Sequence, residues 1–361
     1  MLLFTQTKQT NTTMASKHKT TLLQQQLKIQ TGNGVNLEEW ARFVEACFSE
    51  KQPPPTAAYF LSKVHNVPTF DLDRDVRVMM DEADGGRIVA TLRLFRGRFI
   101  VSSEVDDVET IGIGEVCVRP DRRGQGIGEF LVEESVRMER NSTNRSPVFT
   151  LHATLPYARR LYERCGFKRC AAEIVYIQFS VNSALVQEDQ CDNPYLPRLC
   201  NTSDSADLER LATLYEQDPV VGTMRRSYVY WQSWIRCKWE RRQGLAILVS
   251  DHSKIVGYIY AYGTIPGRLR LDEICISSDL STRERQSVFI SAIRMLLATV
   301  KCTEFVASKT LIHRALGNLE GPTLQNIEVA FSDDGWMFSD VSQEVICVLG
   351  QSGVFYDSDT F

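Results

Sequence analysis

The sequence predicts an α/β fold built twice, and three observations predict it. A strand-like stretch, Gly114 to Val118, runs into a glycine-rich turn, Arg123-Gly124-Gln125-Gly126-Ile127-Gly128, which opens a helix-patterned segment, Glu129 to Arg140. Strand and helix patterns alternate on both sides of it. Finally, Asp272-Glu273-Ile274-Cys275-Ile276-Ser277-Ser278-Asp279 repeats the pattern of Gly114-Glu115-Val116-Cys117-Val118-Arg119-Pro120-Asp121 at an offset of 158 residues, with an apolar helix after each. A period of that length means two copies of one domain, not a solenoid.

Composition bounds the function. At 361 residues the chain has room for two ordinary cores. A net charge of −4 argues against a dedicated nucleic-acid binder. Ten cysteines occur without Cys-x-x-Cys or a histidine cluster, so they read as reduced cytosolic thiols and no metal is expected. No apolar run approaches membrane-spanning length, so no membrane partner is expected. Residues 1–33 are rich in Thr, Gln and Lys and contain no Asp or Glu, the pattern of a disordered or targeting tail. A cytoplasmic location follows, with a mitochondrial one as the alternative that the acid-free tail allows.

Taken in order, Leu37, Trp40, Ala41 and Val44 fall on one face of a helix near Leu37 to Phe48, which Pro53-Pro54-Pro55 ends. A short helix near Thr56 to Val64 leads to Asp71-Leu72-Asp73-Arg74-Asp75. Val76 stands where a calcium loop needs glycine, so this reads as an acidic surface turn. Arg77 to Glu82 and Arg87 to Phe95 form a hairpin through Asp84-Gly85-Gly86. Strands follow near Phe99 to Ser103 and Thr110 to Val118, and Pro120 stops the ladder. In the next helix Ile127, Phe130, Leu131 and Met138 share a face while Val132 and Val136 lie opposite, so it is buried on two sides. Val148 to His152 is a strand, and Glu173 to Phe179 closes a first domain of residues 34–181. A polar linker, 182–197, precedes a second domain, 198–350, with helices near Asp204 to Glu216 and Arg226 to Arg242 and strands near Leu245 to Ser250 and Ile255 to Tyr262. Its Trp231, Trp234 and Ile235 form a helical stripe suited to core or inter-domain packing. Residues 351–361 are a C-terminal tail.

Gly124, Gly126 and Gly128 permit positive φ and close backbone approach, and the helix behind them offers unpaired N–H groups and its positive dipole end. Together these make a main-chain anion site. A dinucleotide fingerprint would need glycine where Glu129 stands, and a Walker loop needs Gly-Lys-Ser/Thr, which is absent. What remains, Val-x-Val-x-Pro-x-x-Arg-Arg-Gly-x-Gly-x-Gly, resembles the acyl-CoA signature of the GNAT acetyltransferase superfamily, whose core falls on Arg123, Gly126 and Gly128. Downstream, Ala158-Arg159-Arg160-Leu161-Tyr162-Glu163-Arg164-Cys165-Gly166-Phe167 resembles the second GNAT signature, although Leu155 stands where the family often has asparagine. The resemblance implies a tandem GNAT fold, a mixed and mostly antiparallel sheet flanked by helices. It is most similar to the enhanced-intracellular-survival-type acetyltransferases, without carrying over that group's third domain or its hexamer. In the second copy Ser281, Glu284 and Gln286 replace Arg123, Gly126 and Gly128, and no second signature follows. That copy is expected to be degenerate, a wall or lid that binds no CoA.

Carried onto this chain, the resemblance implies acetyl-CoA as cosubstrate and direct attack of a neutral primary amine on the thioester through a tetrahedral oxyanion. Main-chain N–H groups of Arg123, Gly124, Gln125, Gly126, Ile127, Gly128 and Glu129 would hold the pyrophosphate. An N–H among Val116, Cys117 and Val118 would face the oxyanion, and Tyr162 would protonate the leaving thiolate. Glu115, beside the reacting centre, is a candidate base, weakened by Glu273 at the same place in the degenerate copy; His152 and the terminal carboxylate of Phe361 are the others. Cys117 and Cys165 lack a partnered histidine and read as inert thiols. The amine's identity is left open, as is a homo-oligomer. Two rivals stand beside this reading: a silent CoA-binding regulatory or scaffold protein, and an N-acyltransferase using a longer acyl-CoA.

Overall fold

A computed structural model describes residues 27–50, 54–100, 107–142, 147–178, 194–218, 223–252, 254–265, 268–300, 304–308, 311–312 and 327–339. The first half of the chain supplies β1 (Leu27–Thr31), α1 (Leu37–Cys47), α2 (Ala57–His65), the one-turn α3 (Leu72–Asp75), β2 (Val76–Asp81), β3 (Arg87–Phe99), β4 (Val108–Val118), α4 (Ile127–Ser142), β5 (Val148–His152), α5 (Pro156–Arg164) and β6 (Lys168–Gln178). The second supplies β7 (Leu196–Leu199), α6 (Ser205–Gln217), a helical run α7, β8 (Leu245–Ser250), β9 (Ile255–Ile265), β10 (Arg268–Ile276), α8 (Thr282–Val300), β11 (Glu304–Ser308) and β12 (Ile327–Ser339). Within α7, Tyr228–Tyr230 and Arg236–Arg241 are α-helical and flank a π-helical turn, Trp231–Ile235. No helix among the described residues is long and apolar enough to cross a membrane.

Local chemistry sets these boundaries. Asn36 caps α1 by accepting from Glu38 N and Glu39 N at 2.9 and 3.1 Å, and Thr56 caps α2 through Tyr59 N at 3.2 Å. Trp40, Ala41 and Val44 are fully buried, and Trp40 Nε1 donates to Thr91 Oγ1 at 2.9 Å, which seats α1 on β3. Asp71 caps α3, and Asp75 is ion-paired to Arg74 and Arg96, so the acidic turn is spent on structure.

One twelve-stranded sheet runs in the order β1-β2-β3-β4-β5-β12-β6-β11-β10-β9-β8-β7. Two pairs are parallel, β4–β5 and β10–β11, and the rest are antiparallel, so the sheet is mixed and mostly antiparallel as expected. The repeat is exact at these pairs: Thr110, Ile111 and Gly112 meet β5 where Arg268, Leu269 and Arg270 meet β11. In both places only three residues pair, and the later part of the strand, Ile113–Val118 or Leu271–Ile276, splays from its parallel neighbour.

Several elements differ from the sequence reading. β1 reaches into the tail assigned to 1–33 and pairs antiparallel with β2. β3 runs through to Phe99, so no separate strand starts there, and 101–106 lie outside the described residues. β7, at the sheet's edge where Pro197 forfeits no interior ladder bond, begins inside the linker assigned to 182–197. The largest difference is at the centre. β6 does not simply close the first half, because β12 enters between β5 and β6, while β6 lies between β12 and β11. Each half is completed by a strand of the other. A cluster of Phe99, Val148, Cys170, Met224 and Phe338 seals this exchange, and Met224 comes so near Gly97 that a Cβ there would lie 2.0 Å from its Cε.

Candidate acyl-CoA site

The glycine turn runs straight into α4, as the sequence predicts. Gly124 and Gly126 have φ of +75° and +83°, a region closed to most side chains. Phe130 N donates to Gly126 O at 3.0 Å, which makes Gly126 the residue that begins α4, and it has no side chain with which to cap the first turn. The N–H groups of Ile127, Gly128 and Glu129 therefore lack intrahelical acceptors and a capping side chain. Gly128 serves otherwise than expected: its backbone is not left-handed, but a Cβ there would meet Leu161 Cδ1 at 3.3 Å and Val118 Cγ2 at 3.4 Å. Its smallness lets α4 sit close on β4 and α5. Gln125 is exposed at the turn's tip. The Arg123 guanidinium turns back to donate to Val118 O and Cys47 O, both at 3.2 Å, and so pins the turn to β4 and α1. The Glu129 carboxylate pairs with Arg164 at 2.8 Å, tying α4 to α5.

The splayed edge of β4 lies beside this turn. Between Arg93↔Gly114 and Thr91↔Cys117 the strand carries one extra residue, and Glu115 in that bulge has φ +53°. Arg119 N donates to Val89 O on β3 at 2.8 Å. Strand alternation then turns Cys117 N–H toward β3 and those of Val118 and Val116 toward the open edge. Val116, Val118 and Tyr162 pack on one hydrophobic cluster, which brings α5 to that edge. Burial, then Cys165, Cys117 and Tyr157, hold the Tyr162 phenol above its ordinary pKa of 10, so it keeps its proton at neutral pH. Cys165 is pushed up to about 12, by burial first, and Cys117 well above its usual value by burial and by Cys47, so both thiols stay protonated.

Glu115 itself points to the other face of the sheet. Its buried carboxylate lies 2.7 Å from Lys63 Nζ, a charge contact without an aligned hydrogen bond, and 3.8 Å from Arg93 Nη1. The matching Glu273 is fully buried and bonded to Arg226 at 2.9 and 3.0 Å and to Tyr258 at 3.1 Å. Both copies thus hold a glutamate at the bulge against buried cations. His152, half-buried at the end of β5, pairs through its backbone with Trp336, and Phe361 lies outside the described residues.

Lys63, Arg93 and Cys47 escaped the sequence reading. Arg93 had a signal, since a charge between Leu92 and Leu94 in the apolar middle of a strand needs a partner. In the second copy, α8 starts at Thr282, three residues earlier than the repeat offset from Ile127 would place it. Ser281 and Glu284 close a capping box, with the Glu284 carboxylate accepting from Ser281 N at 2.8 Å and Ser281 Oγ at 2.6 Å. Glu284 thus caps a helix in place of standing in a loop.

Comparison with known proteins agrees with this geometry. Residues 75–169 match the acetyltransferase (GNAT) domain family. A UPF0039 protein of Schizosaccharomyces pombe is 31% identical over 86 residues, 24% of this chain, and the match spans about half, 51%, of that relative's length. A GCN5-related N-acetyltransferase from Anabaena variabilis superposes with a TM-score of 0.62 at 18% identity, covering 86% of this chain and 72% of that one. Eis1 from Mycobacterium abscessus gives 0.56 at 15% identity, over 86% and 73% of the two chains. These structural likenesses establish the fold, that of tandem GNAT proteins, and within it residues 75–169, which carry the glycine turn and the bulged, splayed strand, match the acetyltransferase (GNAT) domain family.

Proposed function

We propose that the chain is an acetyl-CoA-dependent N-acetyltransferase acting on a primary amine. The observation that carries this is the uncapped N-terminus of α4, opened by Gly126 beside the free edge of β4 and the neutral Tyr162. The turn's N–H groups bind the pyrophosphate, and the Val116 N–H, or that of Val118, donates to the oxyanion. Tyr162 gives its proton to the departing sulfur. A thiol-release assay over an amine panel tests the reading. Turnover with acetyl-CoA supports it, a preference for octanoyl-CoA would favour the longer-chain rival, and acetyl-CoA binding without turnover would favour the silent scaffold.

Tyr162→Phe is expected to lower kcat by roughly 10²-fold to 10⁴-fold with acetyl-CoA affinity unchanged. Because the phenol's pKa is raised, its acid form persists past pH 10, and kcat should not fall on the alkaline side through loss of this proton. A wild-type decline that Tyr162→Phe removes would contradict that role.

The second copy is proposed to bind no CoA. Its support is the Ser281–Glu284 box, which occupies the helix start that α4 leaves open. Titration calorimetry should give one acetyl-CoA per chain, and two would contradict it.

A further inference from the structure

Between the two halves, on the sheet face opposite α4, lies a cavity of about 20 Å³ lined by Phe70, Arg93, Phe95, Met224, Tyr230 and Trp234, with Asp75 and Arg96 at its side. Arg93 is 1% exposed, and its Nε and Nη1 have no hydrogen-bond partner. Its guanidinium lies over the rings of Phe70 and Phe95, 4.9 and 4.3 Å from their centroids, so apolar faces hold the cation in place and leave its edge unmet. The nearest carboxylate, Glu115, is shared with Lys63, which is itself buried and far closer to it. Asp75 is already taken by Arg74 and Arg96. Two buried cations thus face one buried carboxylate, and an arginine cannot shed its charge at working pH. Unmet donors on a buried guanidinium are matched by an anion, above all a carboxylate.

Resting on the acetyltransferase reading above, we propose that the acceptor is a small amine that also carries a carboxylate, an amino-acid type of molecule, with its carboxylate bound by Arg93. Glu115, 3.8 Å from Arg93, sits in the bulge next to Val116, so this anion site adjoins the proposed reacting centre. In the transfer the deprotonated amine forms a C–N bond to the thioester carbon and the C–S bond breaks. The sulfur leaves with the electron pair and takes a proton, the second amine proton passes to solvent, and the carboxylate is unchanged. The closed space holds about one water, so the acceptor's carboxylate enters by displacement of the wall that carries Tyr230 and Trp234. That wall contains the π-helical turn Trp231–Ile235, a geometry that recurs at functional sites.

Matched pairs test this on the full chain: β-alanine against propylamine, and L-phenylalanine against phenethylamine, in the thiol-release assay with acetyl-CoA. The carboxylate member of a pair is expected to have kcat/KM higher by at least about 10-fold. Arg93→Met should erase the preference, and Arg93→Lys, which keeps the charge and loses the Nε and Nη1 donors, should retain part of it. Equal or faster turnover of the plain amines by the wild type overturns the proposal while leaving the acetyltransferase reading intact. Calorimetry of the same amino acids and of their N-acetyl forms is the second arm. Binding that Arg93→Met weakens at least about 10-fold supports the site even without turnover, and no binding by any carboxylate overturns it. Acetyl-CoA titrated into the same samples shows separately whether the cosubstrate site fails, and it also reports whether each variant is folded.

Discussion

Replacing Gly126 with glutamate is expected to abolish acetyl-CoA binding while the chain stays folded. The φ of +83° at this position costs a side chain about 1–2 kcal/mol, which a two-core chain of this size tolerates. The functional cost is larger. A carboxylate at the start of α4 accepts from the N–H groups that would otherwise hold phosphate, and it opposes the phosphate charge directly. Dissociation constants should rise at least about 100-fold, near 2.7 kcal/mol, in titration calorimetry, with the thermal transition retained. Gly126→Ala carries the conformational penalty without the charge, so an intermediate affinity separates the two effects. Wild-type affinity in Gly126→Glu would contradict the site.

Glu115→Gln is expected to have the largest effect on stability of any single change near the site. It leaves Lys63 and Arg93 buried with no carboxylate between them, a situation that costs about 3–5 kcal/mol. The melting temperature should fall by roughly 10 °C. Adding Lys63→Met removes one stranded cation and should restore part of the loss, which scanning calorimetry of the single and double variants measures. The same pair tests chemistry. If the carboxylate serves the ion network, turnover per folded molecule stays within about 10-fold of wild type, whereas a loss of roughly 10²-fold to 10⁴-fold in folded protein marks Glu115 as the base. The equivalent arrangement of Glu273 with Arg226 and Tyr258, in the copy proposed to bind no CoA, leads us to expect the first outcome.

The glycine turn, its strand and its helix were legible in the sequence because backbone permissiveness, a ladder-stopping proline and an amphipathic pattern are local properties, written in neighbouring residues. For the same reason the Asp84-Gly85-Gly86 hairpin and the helices capped by Asn36, Thr56 and Asp204 appear where their residues predict them. The repeat was legible too, through Glu115 and Glu273 at one offset. One local signal went unused: Ser281-x-x-Glu284 is a capping box, and reading it would have started α8 three residues sooner.

What only tertiary structure decided depends on partners far apart in the chain. Nothing in Lys168–Gln178 distinguishes a strand that closes its own half from one shared with the other half, because an antiparallel ladder accepts any extended neighbour of suitable pattern. The left-handed backbone at Glu115 is likewise unwritten locally, since the residue type disfavours it and the bulge imposes it. The Arg93 guanidinium acquires its meaning from Phe70, Phe95, Tyr230 and Trp234 together. Three segments must converge before that charge is buried with its Nε and Nη1 donors unmet. The sequence by itself determined the mixed α/β fold and the glycine turn within the segment, 75–169, that matches the GNAT domain family. The sharing of strands between halves, and the charge of the cavity between them, were decided by packing, because burial and pairing are properties of the assembled chain.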